Sequence, residues 1–217
     1  MINGKCIADT IEDNKTSTGF NTTIYANNLE LTREEKIKKI SGYFRQIMLT
    51  LGLNITDDSL RETPNRVAKM YVEEMFSGLD PENKPDMTLF NNNYKYNDML
   101  IEKNISLYSY CEHHFVPIVG KVHVAYIPKD KVIGLSKINR LVEYYAKRPQ
   151  VQERLTIEIA EGLKKALSTD DVAVVIDAVH FCISSRGVRD TNSSTVTTNY
   201  SGRFLNSDVR NQFLSML

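Results

Sequence analysis

The chain lacks any excess of one charge: 27 Lys and Arg stand against 27 Asp and Glu over 217 residues. A balanced surface gives no reason to expect nucleic acid or an anionic membrane as a partner, so any anion site must be local. Long apolar runs are missing too. No stretch approaches the roughly 18 apolar residues of a membrane span. The opening segment MINGKCIADTIEDNKTSTGFNTTIYANN has no continuous apolar region of the kind that directs export. Cysteine is scarce. Cys6, Cys111 and Cys182 are too few and too scattered for a disulfide framework, which points to a reducing, cytoplasmic setting with thiols free to bind metal. What remains, 41% hydrophobic and 25% charged, is the balance of an ordinary globular protein with one core.

Residues 1–31 are rich in Asn, Thr and Lys without sustained periodicity, and are expected to form a variable arm before a folded unit over 32–217. That unit divides into a helical part over 32–80 and a sheet-containing part over 97–217. Thr32 and Glu35 make a capping-box pattern, followed at helical spacing by Ile37, Ile40, Phe44, Ile47, Met48 and Leu51. Thr63 and Pro64 open a second helix with Val67, Met70, Tyr71 and Met75 on one face, and Gly78 is expected to cap its end. Between about 97 and 127 the period changes to two, giving two strands with Gly120 as the turn between them. GLSKINRLVEYYAKR predicts a helix with Ser136 as N-cap. Pro149 separates it from a longer helix in which Val151, Leu155, Ile159, Leu163 and Leu167 recur at every fourth position. DDVAVVIDAVHFCISS reads as a buried strand, NSSTVTTNYSG as its partner and SDVRNQFLSML as a closing helix. The fold class that follows is α+β, an antiparallel sheet with helices on one face and a helical pair at its N-terminal side.

Histidine and cysteine are concentrated where strands meet. CEHH supplies Cys111, His113 and His114, and VHFC supplies His180 and Cys182, together three of four histidines and two of three cysteines. Thiolate with imidazole favours zinc, and three protein ligands with an open fourth position describe a catalytic site. Spacing alone leaves the ligands open: Cys111 with His113 or His180 with Cys182 share a strand face, whereas Cys111 with His114 needs a bend. His123 alternates with the apolar face of its strand and is expected to be solvated or paired. Ser136, Lys137 and Arg140 crowd a helix N-terminus, and Arg186 and Arg189 follow the second metal run, a set suited to phosphate. Gln152 and Glu153 open the long helix. Glu153 either stabilises the helix dipole or accepts two parallel N–H groups from a ligand edge such as that of guanine.

The blocks CEHHFVPIVGKVHVAYIP, VIGLSKINRLV, RPQVQERLT, VHFC and SRGVRD, in this order, resemble GTP cyclohydrolase I. The resemblance runs from about residue 33 to the C-terminus. It implies conversion of GTP and water to 7,8-dihydroneopterin triphosphate and formate, the first step towards folate or tetrahydrobiopterin. It also implies a tunnelling fold whose subunits join their sheets into a barrel, a homodecamer of two pentamers, and active sites between subunits. On matching positions it assigns zinc to Cys111, His114 and Cys182, and acid/base roles to His113 and His180. Gln152 and Glu153 fall on the guanine edge, and Ser136, Lys137, Arg140 and Arg186 on ribose and triphosphate.

Overall fold

The computed structural model describes residues 31–217, so the arm expected over 1–31 lies, apart from Leu31, outside the described residues. Helix α1 (Arg33–Thr50) begins with both arms of the capping box: Glu35 N–H donates to Thr32 Oγ1 at 3.2 Å and Thr32 N–H to the Glu35 carboxylate at 2.8 Å. Such a cap is worth about 1 kcal/mol. Helix α2 (Thr63–Lys69) carries Pro64 in its first turn, where the missing N–H costs nothing, and widens into a π-helical turn over Met70–Met75. Gly78 is not the cap of this helix. It lies in a later 3-10 turn, where its N–H donates to Lys147 O at 2.8 Å and an added Cβ would meet Tyr144 O at 2.1 Å. Close backbone approach, not helix termination, is what requires glycine there.

The strands are β1 (Leu89–Asn91), β2 (Leu100–Cys111), β3 (Pro117–Tyr126), β4 (Lys131–Ile133), β5 (Pro149–Gln150), β6 (Val172–His180) and β7 (Thr195–Tyr200). Five of them form a sheet in the order β5-β2-β3-β6-β7, antiparallel except where the two residues of β5 run parallel to the end of β2. The short strands β1 and β4 pair in a second small sheet that the sequence pattern does not announce. Gly120 also departs from expectation. It sits inside β3, where a Cβ would stand 2.1 Å from Asp177 O on β6; the chain reverses instead over residues 112–116, with Phe115 at φ +54°.

Helices α3 (Leu135–Ala146) and α4 (Gln152–Leu167) pack on one face of the sheet. Leu155, Ile159 and Leu163 on α4, facing Val174 and Ile176 on β6, are wholly buried. Each such side chain contributes about 1.5–3 kcal/mol of transfer free energy. The opposite face is not bare, contrary to the one-sided arrangement expected. Ala125 and Ala173 are small enough to admit Phe204 and Phe213, and the closing helix α6 (Ser207–Ser215) covers that end. His123 lies on this second face at 8% exposure, and its Nδ1 accepts the Asn104 N–H at 3.5 Å, so it is paired and not solvated. No helix among the described residues is long and apolar enough to cross a membrane.

Candidate metal centre and substrate site

Cys111 is the last residue of β2, and the turn after it closes on that same residue: its N–H donates to Val116 O at 2.9 Å and its carbonyl accepts from Phe115 N–H at 2.8 Å. The bend brings His114 back over Cys111. On the other side β6 ends at His180, and the chain breaks at once into the short turn α5 (Phe181–Ser184), which carries Cys182 away from the strand direction. Register does the rest, because Ile118 at the start of β3 pairs with His180. The donor atoms of Cys111, His114 and Cys182 consequently lie within 4.8 Å of one another.

This set fits zinc. Tetrahedral coordination with Zn–S near 2.3 Å and Zn–N near 2.0 Å gives donor-to-donor edges of roughly 3.5–3.8 Å. The Cys111 Sγ to His114 Nδ1 edge is 4.0 Å. Burial, and then the neighbouring Cys111 sulfur, push the Cys182 thiol above its ordinary range. Held up in this way, the Cys182 thiol keeps its proton until a cation replaces it.

His180 stands beside the triad with a defined tautomer. Gln152, 1% exposed, donates from Nε2 to Ile176 O at 3.2 Å, Thr195 O at 2.7 Å and Thr197 Oγ1 at 3.1 Å. Its Oε1 therefore faces His180 Nε2, 2.7 Å away, and accepts that N–H. The proton sits on Nε2 and Nδ1 is left as an acceptor. Burial lowers the His180 pKa, while Glu153 pulls it the other way, so the neutral ring prevails at neutral pH. Gln152 is thus committed inside the chain as the group that orients His180. Glu153 is the exposed carboxylate of the same helical turn. His113 is exposed on the reversal, with Nδ1 3.6 Å from Cys111 Sγ, and Arg186 lies close enough to the cysteines to lower the Cys182 pKa slightly.

The remaining anion residues are elsewhere. The N-cap of α3 is Gly134; Ser136, placed there by the sequence pattern, lies in the first turn and makes no capping bond. Asn139 of α3 donates to Glu102 near the start of β2 at 3.5 Å, whereas Ala146 at the other end accepts from Ser109 at 2.7 Å. Helix and strand thus run side by side in the same direction. Glu102 and Cys111 are about 30 Å apart at ~3.3 Å per residue. Ser136, Lys137 and Arg140 therefore sit a strand's length from the triad of their own chain.

A family model described as GTP cyclohydrolase I matches residues 40–217. The chain belongs to the GTP cyclohydrolase I family. Its similarity to individual members spans nearly the whole molecule. It is 52% identical over 217 residues to the GTP cyclohydrolase 1 of Flavobacterium johnsoniae, covering 100% of this chain and 97% of that one. With the GTP cyclohydrolase 1 of Aeromonas salmonicida it shares 54% over 200 residues, 92% of this chain and 91% of the other. With that of Citrobacter koseri it shares 54% over 186 residues, 85% and 84% of the two. Among solved structures, the apo form of the archaeosine synthase QueF-Like aligns at a TM-score of 0.41 and 20% identity, over 48% of this chain and 93% of that one, too slight a likeness to carry an argument.

Two residues at the site of this GTP cyclohydrolase I family member escaped the sequence reading. Glu112, inside CEHH, and Arg154, inside QERL, form an ion pair across 42 positions of sequence. Charged neighbours of functional residues look like ordinary surface charges until the fold joins them.

Proposed function

We propose that this enzyme converts GTP and water to 7,8-dihydroneopterin triphosphate and formate, with zinc held by Cys111, His114 and Cys182. The observation that carries the reading is the soft three-donor corner with His180 beside it, its Nδ1 free to take a proton. When bound, zinc supplies a Lewis acid and brings the ionisation of a water to near neutral pH. His180 then serves as base at Nδ1 while Gln152 holds its Nε2–H, and the exposed His113 exchanges protons with the opening ring. Glu153 accepts the ring N–H and exocyclic amine of guanine, and Arg186 takes a phosphate oxygen. These contacts hold C8, the carbon released as formate, over the metal corner.

Ser136, Lys137 and Arg140 complete the triphosphate site from a second copy of the chain, because their own triad is out of reach. The sheet supports such an assembly. Among the described residues β7 has one partner strand, and β2 is paired on its outer side only at Tyr110 and Cys111. Joining the open edge of β7 to that of β2 in the next copy closes a barrel, with the decamer of two pentamers as its full form. Two free thiols, Cys111 and Cys182, suit the reducing cytoplasm.

The test is incubation of the purified, zinc-supplied protein with GTP, followed by assay of formate and of a fluorescent pterin after oxidation. Both products in equal amount are expected. GTP bound without formate would instead identify a regulatory ring, and release from a different purine a related enzyme of the same fold.

A further inference from the structure

We propose that Arg154 and Glu112 are a positioning pair that sets the metal loop against the first turn of α4, fixing where Cys111 and His114 stand relative to Glu153. This rests on the zinc and GTP reading above and deepens it. The loop over 112–116 is tied to the adjoining β5 segment through one backbone bond, Glu112 N–H to Gln150 O at 3.0 Å. The turn is closed on itself by the backbone bonds of Cys111 with Val116 and Phe115, but these do not tie it to α4. The Glu112 carboxylate, bound to the Arg154 guanidinium, supplies that tie.

Arg154 is itself held in place. Its Nε donates to Gln150 Oε1 at 3.1 Å and its Nη2 to Pro149 O at 3.1 Å. Gln150 has no exposed surface and donates in turn to Glu158 at 2.6 Å. A planar fork with three acceptors on a buried frame transmits position in a way that a swinging surface pair does not. Most surface pairs contribute little, but this one is largely enclosed, with side-chain exposures of 18% for Arg154 and 33% for Glu112.

Successive helix residues point about 100° apart, so the first turn of α4 faces three ways. Gln152 reaches the sheet and His180, Glu153 is open to substrate, and Arg154 grips the loop bearing Cys111 and His114. The loop after Cys111 and the imidazole of His180 are therefore both indexed from three consecutive residues. Glu112 also lies 3.9 Å from His113 Nε2, on the far side of a ring whose Nδ1 faces Cys111. Loss of the pair leaves every ligand present but the corner misaligned.

Glu112→Gln and Arg154→Met are each expected to lower kcat for formate release by about 10–100-fold, with KM for GTP changed by less than about threefold. The double variant should be no worse than the poorer single, since each removes the same link. Arg154→Lys, which keeps one donor, should recover part of the loss, and it carries the test if Arg154→Met does not fold. Two readouts need no turnover. Zinc affinity, read against a chromophoric chelator, should fall about tenfold or more. In zinc-stripped protein, amide exchange over residues 111–116 should quicken while β6 stays protected. Losses in the double variant that multiply, unchanged zinc affinity and exchange, or a raised KM with kcat intact would each overturn the pair. If the unaltered protein releases no formate, the functional reading fails on its own, and the zinc and exchange measurements still decide this one.

Discussion

His180 and Cys182 are two positions apart and have opposite fates when altered. Cys182→Ser removes a donor from a set of three, so bound metal and turnover should vanish together, read by elemental analysis and formate release. His180→Ala should keep its zinc and lose about 10²–10⁴ in kcat, the span typical of a general acid or base. A metal-free His180→Ala protein would show that the ring is a ligand and not a base. Glu153→Ala should cost GTP its advantage over ATP in kcat/KM, and an unchanged ratio would remove the carboxylate from the guanine edge. At this scale the candidate metal donors were readable from sequence because scarce residue types gather in two short runs. Spacing left the pairing of Cys111 with His114 open; the family resemblance assigned it, and the bend at Phe115 supplies its physical reason. Gln152 was readable as a site residue but not as the partner of His180, since the contacts that turn its amide come from Ile176, Thr195 and Thr197.

Elements were legible where a single face is buried. α4 repeats an apolar residue at every fourth position, and Leu155, Ile159, Leu163 and Leu167 are all in the core. Glycines misled, because a glycine between two β-like runs reads as a turn whether the need is for a positive φ or for room. At Gly120 the need is room. Gly120→Ala should therefore separate β3 from β6 and cost about 1–3 kcal/mol, the range for overpacking, measured by denaturant unfolding. A neutral outcome would mean that the two strands adjust freely. His123 on the same strand gives a pH test. Its pKa lies below the ordinary 6.5, chiefly through burial and then Lys121, with Asp177 opposing and Lys103 adding a little. As pH falls the unfolded chain takes up this proton first, so stability present above 6.5 is lost as pH drops through the lower folded value. The thermal midpoint should fall between about pH 7 and 5, less steeply in His123→Gln. Parallel slopes in the two proteins would contradict the assignment.

The whole molecule places the candidate site residues at two ends of one sheet, which spacing in the sequence did not show, although the family resemblance implied sites between subunits. SKINR and CEHH sit close together in the chain, and only the side-by-side course of α3 and β2 shows that they diverge in space. The proposed sharing of the site between copies makes a mixing test possible. Lys137→Ala and Cys182→Ser proteins should each be inactive alone. After joint unfolding and refolding the mixture should regain activity, because some sites then combine an intact anion end with an intact metal end. A mixture as inactive as its parts would place all the residues within one chain. The central claim, that a metal at Cys111, His114 and Cys182 opens the guanine ring, is tested most directly by adding zinc in steps to metal-stripped protein with GTP present while following formate. Formate release should rise in proportion to bound zinc and level off at one ion per chain. Full formate release without zinc, or one zinc bound per chain with no formate, would contradict the account.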